Sequence, residues 1–412
     1  MSGRKRARSN TQSNKLPSPQ PPTIRSTPVS FKISSTRCTE DHKEESLTVD
    51  DLAVLMSREL ALEGSVITDA EYLVESIFSD EHLPIAPTED LLYDISDAFH
   101  SVTHPLSERD LSDWLNRVGE ALASHFEELS LDRGWDARNF ATALKGSPHK
   151  RKPDVMLLDK SPESEPTWIA VRALCETTSV ANFHQDIRRT ISQKSFLIFN
   201  NQFNRRFVPS LAFFGPSFRF IAIDRAGVVY SPDYNIQNDK LLLLRIIIGL
   251  MFANKEVIGY DLTMRCGSDG EICGITVDGK EYIVVEKLFS ADTLKGRATQ
   301  CWRVQRDGKN YVIKDSWVRN GRPYNEIEML RELADVEHVP TLVAGEDIRL
   351  SDGSIDSTNF RRNGVGQEER LHRRLVMEQV AEPLHSFTSK KELIGAIADV
   401  IRSKCHDCYL FK

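Results

Sequence analysis

Residues 311–317 read "YVIKDSW", with Lys314 behind a short β-branched run, and "NEIEMLREL" (325–333) follows with Glu326 near its start. A strand lysine held by a carboxylate from the next helix suits the neutralisation of nucleotide phosphates, because the carboxylate keeps the ammonium extended toward the phosphate oxygens. Glu326 fits the second role because Met329 and Leu330, three and four positions on, turn toward a sheet. Glu328 then points away. "LVMEQVAEPL" (375–384) fits a strand and hinge bordering a base, where Met377 would stand at the back wall and backbone groups at Glu378 and Val380 would be the adenine partners. "LKGRATQCWRV" (294–304) lies one hairpin before Lys314, where glycines would let backbone amides close over phosphates. Only Gly296 of the three expected glycines is present, with Leu294 and Thr299 in the other two places. ATP is the implied cofactor, and its grip is expected to be weak.

A second pattern lies upstream. "KPDVMLLD" (152–159) and "IAVRALCETTS" (169–179) place Asp154 on one strand and Glu176 near the end of the next. That resembles the PD-(D/E)xK nuclease core, where two acids bind Mg²⁺ and a lysine positions water. Thr178 occupies the lysine's place and supplies no positive charge, so the competing reading is two strand-end carboxylates at a turn. At the C-terminal end, "CHDC" (405–408) is a single pair, short of the four ligands that zinc takes. No metal centre is expected there.

These residues need elements to hold them. From about 48 to 130 the periodicity is helical, and Ser107 is a plausible N-cap. From 150 to 235 strands alternate with a helix over "NFHQDIRRTISQKSFLIFNNQ" (182–202). From 281 on, strands surround the helix at "NEIEMLREL", and "RDGKN" (306–310) reads as a hairpin turn. "SDGSIDSTNFRRNGVGQEER" (351–370) is a polar insertion with no core-forming pattern, and "SKKELIGAIADVIRSK" (389–404) is a helix with a Ser N-cap. The expected class is α+β, in three parts. These are a disordered, basic, Ser/Pro-rich tail (1–45), a helical and α/β N-terminal region (46–275), and a strand-rich block with a hinge and one further helix (276–412).

Composition bounds the rest. With 412 residues, 40% hydrophobic and 27% charged, the chain has the make-up of a soluble globular protein. A net charge of −7 argues against a general nucleic-acid coat. The apolar run "LLLLRIIIGLMFA" (241–253) is too short to span a bilayer and carries Arg245, so it reads as a buried helix. Seven scattered cysteines without a secretory leader indicate an intracellular protein, in cytoplasm or nucleus. "GRKRAR", with Arg4, Lys5, Arg6 and Arg8, fits either a nuclear-import signal or a solvated basic tail.

The order of strands, helix and hinge, with Lys314 and Glu326 in place, is that of a protein-kinase small lobe. "GYDLTM", "LKGRATQCW", "YVIKDSW", "NEIEMLREL" and "VPTLVAG" in that order resemble the fungal-type protein kinase domain family. "KPDVMLLD", "WIAVRALCETTS" and "FIAIDRAGVVYS" are similar to its upstream region. The resemblance covers about residues 90 to 400 and implies ATP-dependent transfer of a phosphoryl group to Ser or Thr. Kinases position the hydroxyl with a His-Arg-Asp loop and bind Mg²⁺ through the Asp of Asp-Phe-Gly. Neither motif follows the hinge before "CHDCYLFK", so the expectation is a chain inactive as written, with Mg²⁺ unbound. A pseudokinase remnant that binds protein partners is the alternative, and a Mg²⁺-dependent nuclease at Asp154 and Glu176 a further one. Oligomeric state stays open.

Overall fold

The structure is a computed structural model that describes residues 49–399, apart from 62–63, 100–106, 161–164, 181–182, 184, 366–367 and 382–385. The basic tail and the terminal "CHDC" lie outside the described residues. Helices and two sheets make up the described chain, in the α+β class expected. Among the described residues no helix is long and apolar enough to cross a membrane.

The first sheet gathers the strands upstream of residue 236. Helix α1 (Val49–Leu60) precedes β1 (Val66–Ile67), the short α2 (Leu73–Ile77), α3 (Glu89–Asp94) and α4 (Ser96–Phe99), and the longer α5 (Glu108–His125). Then come β2 (Arg133–Asp136), β3 (Val155–Asp159), β4 (Val171–Thr178), α6 (Gln185–Asn201), β5 (Phe207–Phe214), β6 (Ser217–Asp224), β7 (Gly227–Tyr230), β8 (Tyr234–Asn235) and α7 (Lys240–Phe252). The order across the sheet is β1-β7-β6-β5-β4-β3-β2, with β8 beside β6. Strands β4 and β5 are parallel, with α6 as the crossover. Strand β5, "FVPSLAFF", is buried along its whole length because helices cover both faces of the sheet. Helices α5 and α7 pack Trp114, Leu115, Ile247 and Leu250 on one face. Helices α1 and α6 pack Leu52, Met56, Ile191 and Phe196 on the other. Ser107 caps α5 as expected, accepting from Asp110 N at 3.2 Å. The apolar run at 241–253 is the buried helix α7, and its Arg245 escapes the core by reaching Asp80 at 2.8 Å and Glu75 at 3.4 Å.

The second sheet is antiparallel throughout. It comprises β9 (Met264–Cys266), β10 (Ile272–Val277), β11 (Lys280–Ser290), β12 (Gln300–Arg306), β13 (Lys309–Arg319), β14 (Leu342–Asp347) and β15 (Arg370–Met377), with helix α8 (Glu326–Glu332) after β13. Its order is β14-β15-β13-β12-β11-β10-β9. The expected domain boundary at 275/276 falls inside β10. "RDGKN" makes the two-residue turn between β12 and β13, with Asp307 and Gly308 both at positive φ, 50° and 75°. Trp302, Val304, Ile313 and Val376 fill one face against Ile275, Val277 and Tyr282.

The polar segment 351–370 has no apolar core of its own, yet it is partly buried. Asp356, Thr358, Arg361 and Arg362 are buried. Arg361 and Arg362 both pair with Asp224 of β6, at 3.1 and 2.8 Å. The segment has no apolar pattern because charge pairing, not hydrophobic burial, fastens it to the first sheet.

A candidate nucleotide-binding site

Lys314 sits mid-strand in β13, between Cys301 of β12 and Leu375 of β15. Its Nζ donates to Glu326 Oε1. The other carboxylate oxygen, Oε2, accepts from Arg297 Nη2 at 3.1 Å. Burial alone would raise the Glu326 pKa, but the Lys314 hydrogen bond and the charges of Lys314 and Arg297 outweigh it and hold the carboxyl below its ordinary range. Glu326 is therefore an anion clasped between two cations.

The helix that presents Glu326 is short, and its fixings are specific. Asn325 caps it, accepting from Ile327 N at 3.0 Å. Arg373 of β15 donates to Asn325 Oδ1 at 2.7 Å while gripping Asp347 of β14 at 2.7 and 3.0 Å. Ile327 is buried, and α8 can lie this close to β14 because position 345 is glycine. A Cβ there would stand 3.0 Å from Ile327 Cγ1 and 3.1 Å from Leu375 Cδ2. Ile327 and Leu333 are the buried residues here, whereas Met329 and Leu330, expected against the sheet, are half-buried. Glu328 is exposed, as its spacing implied.

Met377 ends β15 opposite Val312 of β13 and Leu342 of β14, with Lys314 two residues on from Val312. Alternation along the strands puts Val312, Lys314, Leu375 and Met377 on one face. The N–H of Glu378 donates to Thr341 O at 2.9 Å, so an adenine partner at Glu378 would have to be its carbonyl. Val380 is half-buried just beyond. Cys301 shares the Lys314 row, and burial pushes its thiol up to about 11 against the opposing charge of Lys314. Neither Cys301 nor Arg297 was singled out from the sequence. The signal for Arg297 was a base directly after the one glycine of the loop.

That loop, 291–299 between β11 and β12, contacts the first sheet. Gly296 has φ 118°, and its N–H donates to Arg225 O at 2.9 Å. Leu294, in a place expected to be glycine, is wholly buried in the hydrophobic cluster that α1 and α6 form with the first sheet. The loop as it lies does not offer these amides to a nucleotide.

Next to Lys314, Asp315 enters a buried network. His372 binds Asp315 at 2.8 Å and Asp356 at 2.9 Å, and Arg374 binds Asp315 and Asp261 at 2.7 Å each. Burial would lower the His372 pKa, yet the two carboxylates raise it to about 10. Asp261, Asp315 and His372 lie close enough to share a metal ion. His372 and the Arg374 guanidinium already pair with these carboxylates, so the cluster as it lies is a network of hydrogen bonds and ion pairs.

Asp154, just before β3, and Glu176 of β4 come together around one lysine. The charge missing at Thr178 arrives from another element. Lys194 of α6 donates to both Glu176 oxygens at 2.5 and 2.6 Å and lies 3.6 Å from Asp154. Burial raises the Glu176 pKa to about 7, with Lys194 opposing and Asp154 adding to the rise. Asp154 also accepts from Thr177 N at 3.1 Å.

A family model described as fungal protein kinase matches residues 152–369 and 365–407, more than half of the chain. No curated protein and no solved structure matches it.

Proposed function

The chain belongs to the fungal protein kinase family, and on that premise we propose that its second sheet is a kinase small lobe that binds ATP. The pairing of Lys314 with Glu326 carries this reading, since it supports a phosphate-facing ammonium fixed by a helix carboxylate. ATP would bring the transferable γ-phosphoryl group. Lys314 would meet the α- and β-phosphates, and Glu326 would keep the ammonium pointed at them. Val312 and Met377 would line the base pocket, and the carbonyl of Glu378 and backbone of Val380 would meet the adenine edge. The reaction implied by the family is transfer to a Ser or Thr hydroxyl.

The test is stabilisation by ATP. At ATP about 100-fold above its Kd, the wild-type chain should gain about 2.7 kcal/mol against thermal or urea unfolding. Lys314→Ala should remove that gain while leaving the fold intact. Equal stabilisation of both proteins would rule out Lys314 as the phosphate ligand. No stabilisation of either would leave the sheet as a surface for protein partners.

A second reading attaches to the first sheet. The α5-β2-β3-β4-α6-β5 succession, with Lys194 supplying the cation that Thr178 lacks, favours a PD-(D/E)xK-like Mg²⁺-dependent nuclease site at Asp154 and Glu176.

A further inference from the structure

The loop that would close over the phosphates is already holding an anion. The amides of Leu294 and Lys295 both donate to Oε2 of Glu59 in α1, at 2.7 and 2.9 Å. The next amide, Gly296, is spent on Arg225 O. Arg225 in turn donates to Thr293 O at 2.8 Å and lies over the Phe199 ring at 3.8 Å from its centroid. Lys295 Nζ reaches Ser65 Oγ at 2.5 Å, and Leu294 is 0% exposed. Two successive N–H groups converging on one oxygen form a concavity suited to a phosphate oxygen. Here a carboxylate from the N-terminal region fills it, and the leucine standing in a glycine's place anchors the loop against α1 and α6.

We propose that Glu59 is a positioning residue for nucleotide binding: it withholds the phosphate loop on the first sheet, and ATP recovers the Leu294 and Lys295 amides only when the loop leaves Glu59. This rests on the ATP-binding reading of the second sheet. It also accounts for leucine standing at 294 where a glycine was expected, because a loop that is anchored by a buried side chain gains from leucine what it forgoes in freedom.

The experiment compares the full chain with its Glu59→Gln and Glu59→Ala variants, by ATP titration calorimetry and by hydrogen exchange at residues 294–296. Charge-assisted hydrogen bonds are about twice as strong as neutral ones, so the carboxylate should hold the loop more firmly than an amide. ATP should bind about tenfold more tightly to Glu59→Ala, with Glu59→Gln between, and exchange at Leu294 and Lys295 should quicken in the same order. A role confined to stability would shift the melting temperature and leave ATP affinity alone. Faster exchange with unchanged ATP affinity would overturn the proposal and leave ATP binding standing. Weaker ATP binding in Glu59→Ala would also overturn it, since Glu59 would then be presenting the loop. ATP binding by the variants but not by the wild type would support both readings, whereas no binding by any of the three would overturn both.

Discussion

A lysine ammonium that is 2% exposed bears a desolvation cost of several kcal/mol. Lys194 offsets it through both oxygens of Glu176, itself 3% exposed. Lys194→Met would leave Glu176 buried without its cation, a loss of about 3–5 kcal/mol. The loss should shrink in acid. The folded Glu176 titrates near 7, above its ordinary 4.5, so below about pH 4.5 the group is neutral in both states. As pH rises from there to about 7, the folded form retains a proton that the unfolded form releases, and stability from this group falls. The same trio tests the nuclease reading. The wild type should cleave a DNA duplex only with Mg²⁺, and Asp154→Ala should reduce the rate at least tenfold while Lys314→Ala leaves it unchanged. Absence of metal-stimulated cleavage by the wild type would sink that reading and leave Lys194 as a structural charge.

At the scale of elements, helix α8 shows how little holds the candidate nucleotide site together. Seven residues are too few for a stable isolated helix. Its place depends on the Asn325 cap, the Arg373 bridge and the close approach over Gly345. Gly345→Val would thrust methyl groups into Ile327 and Leu375, an overpacking cost of about 1–3 kcal/mol. Helix α8 should move off β14 and carry Glu326 away from Lys314. Circular dichroism should then report a folded protein, while ATP-induced stabilisation is lost. Retained ATP stabilisation would mean that the Lys314–Glu326 contact is dispensable. Much of this element was legible in the sequence, because a cap, a helix start and an Asp-Gly turn are decided within a few residues. The spacing that brought Lys314 to Glu326 was legible for the same reason. The face of the helix was legible in part: the spacing of Ile327 and Leu333 matches their burial, whereas Met329 and Leu330 are only half-buried, since the approach of β14 decides it. The loop at 291–299 was opaque, because its amides find their acceptor 235 positions away in the chain. Lys194 escaped notice likewise, as a charge delivered from a helix into a strand pattern.

Across the whole molecule, the two sheets are joined by buried charge. Arg206, just before β5, binds Asp356 at 3.2 Å, and Asp356 binds His372 of β15. Arg361 and Arg362 bind Asp224 of β6. Arg374 ties β15 to Asp261 in the connection between α7 and β9. Such pairs are costly to break singly, because the partner left behind stays desolvated. The two sheets should therefore unfold together, and the pH dependence should follow His372. Its pKa is raised from the ordinary 6.5 to about 10 in the folded state. The stability it contributes is in full below about pH 6.5, where both states are protonated, and is lost as pH climbs through 10. Asp315 has the opposite sense. Burial opposes its charge, but His372 and Arg374 hold its pKa below the ordinary value, so its contribution is lost on acidification. Urea unfolding at pH 6, 8 and 10 should show wild-type stability declining across the range, with a shallower decline in His372→Gln. The variant should also be about 3–5 kcal/mol less stable at pH 6. Parallel pH profiles for the two proteins would mean that the imidazole is neutral in the fold, and that the arginine pairs of Arg206, Arg361, Arg362 and Arg374 carry the joint between the sheets.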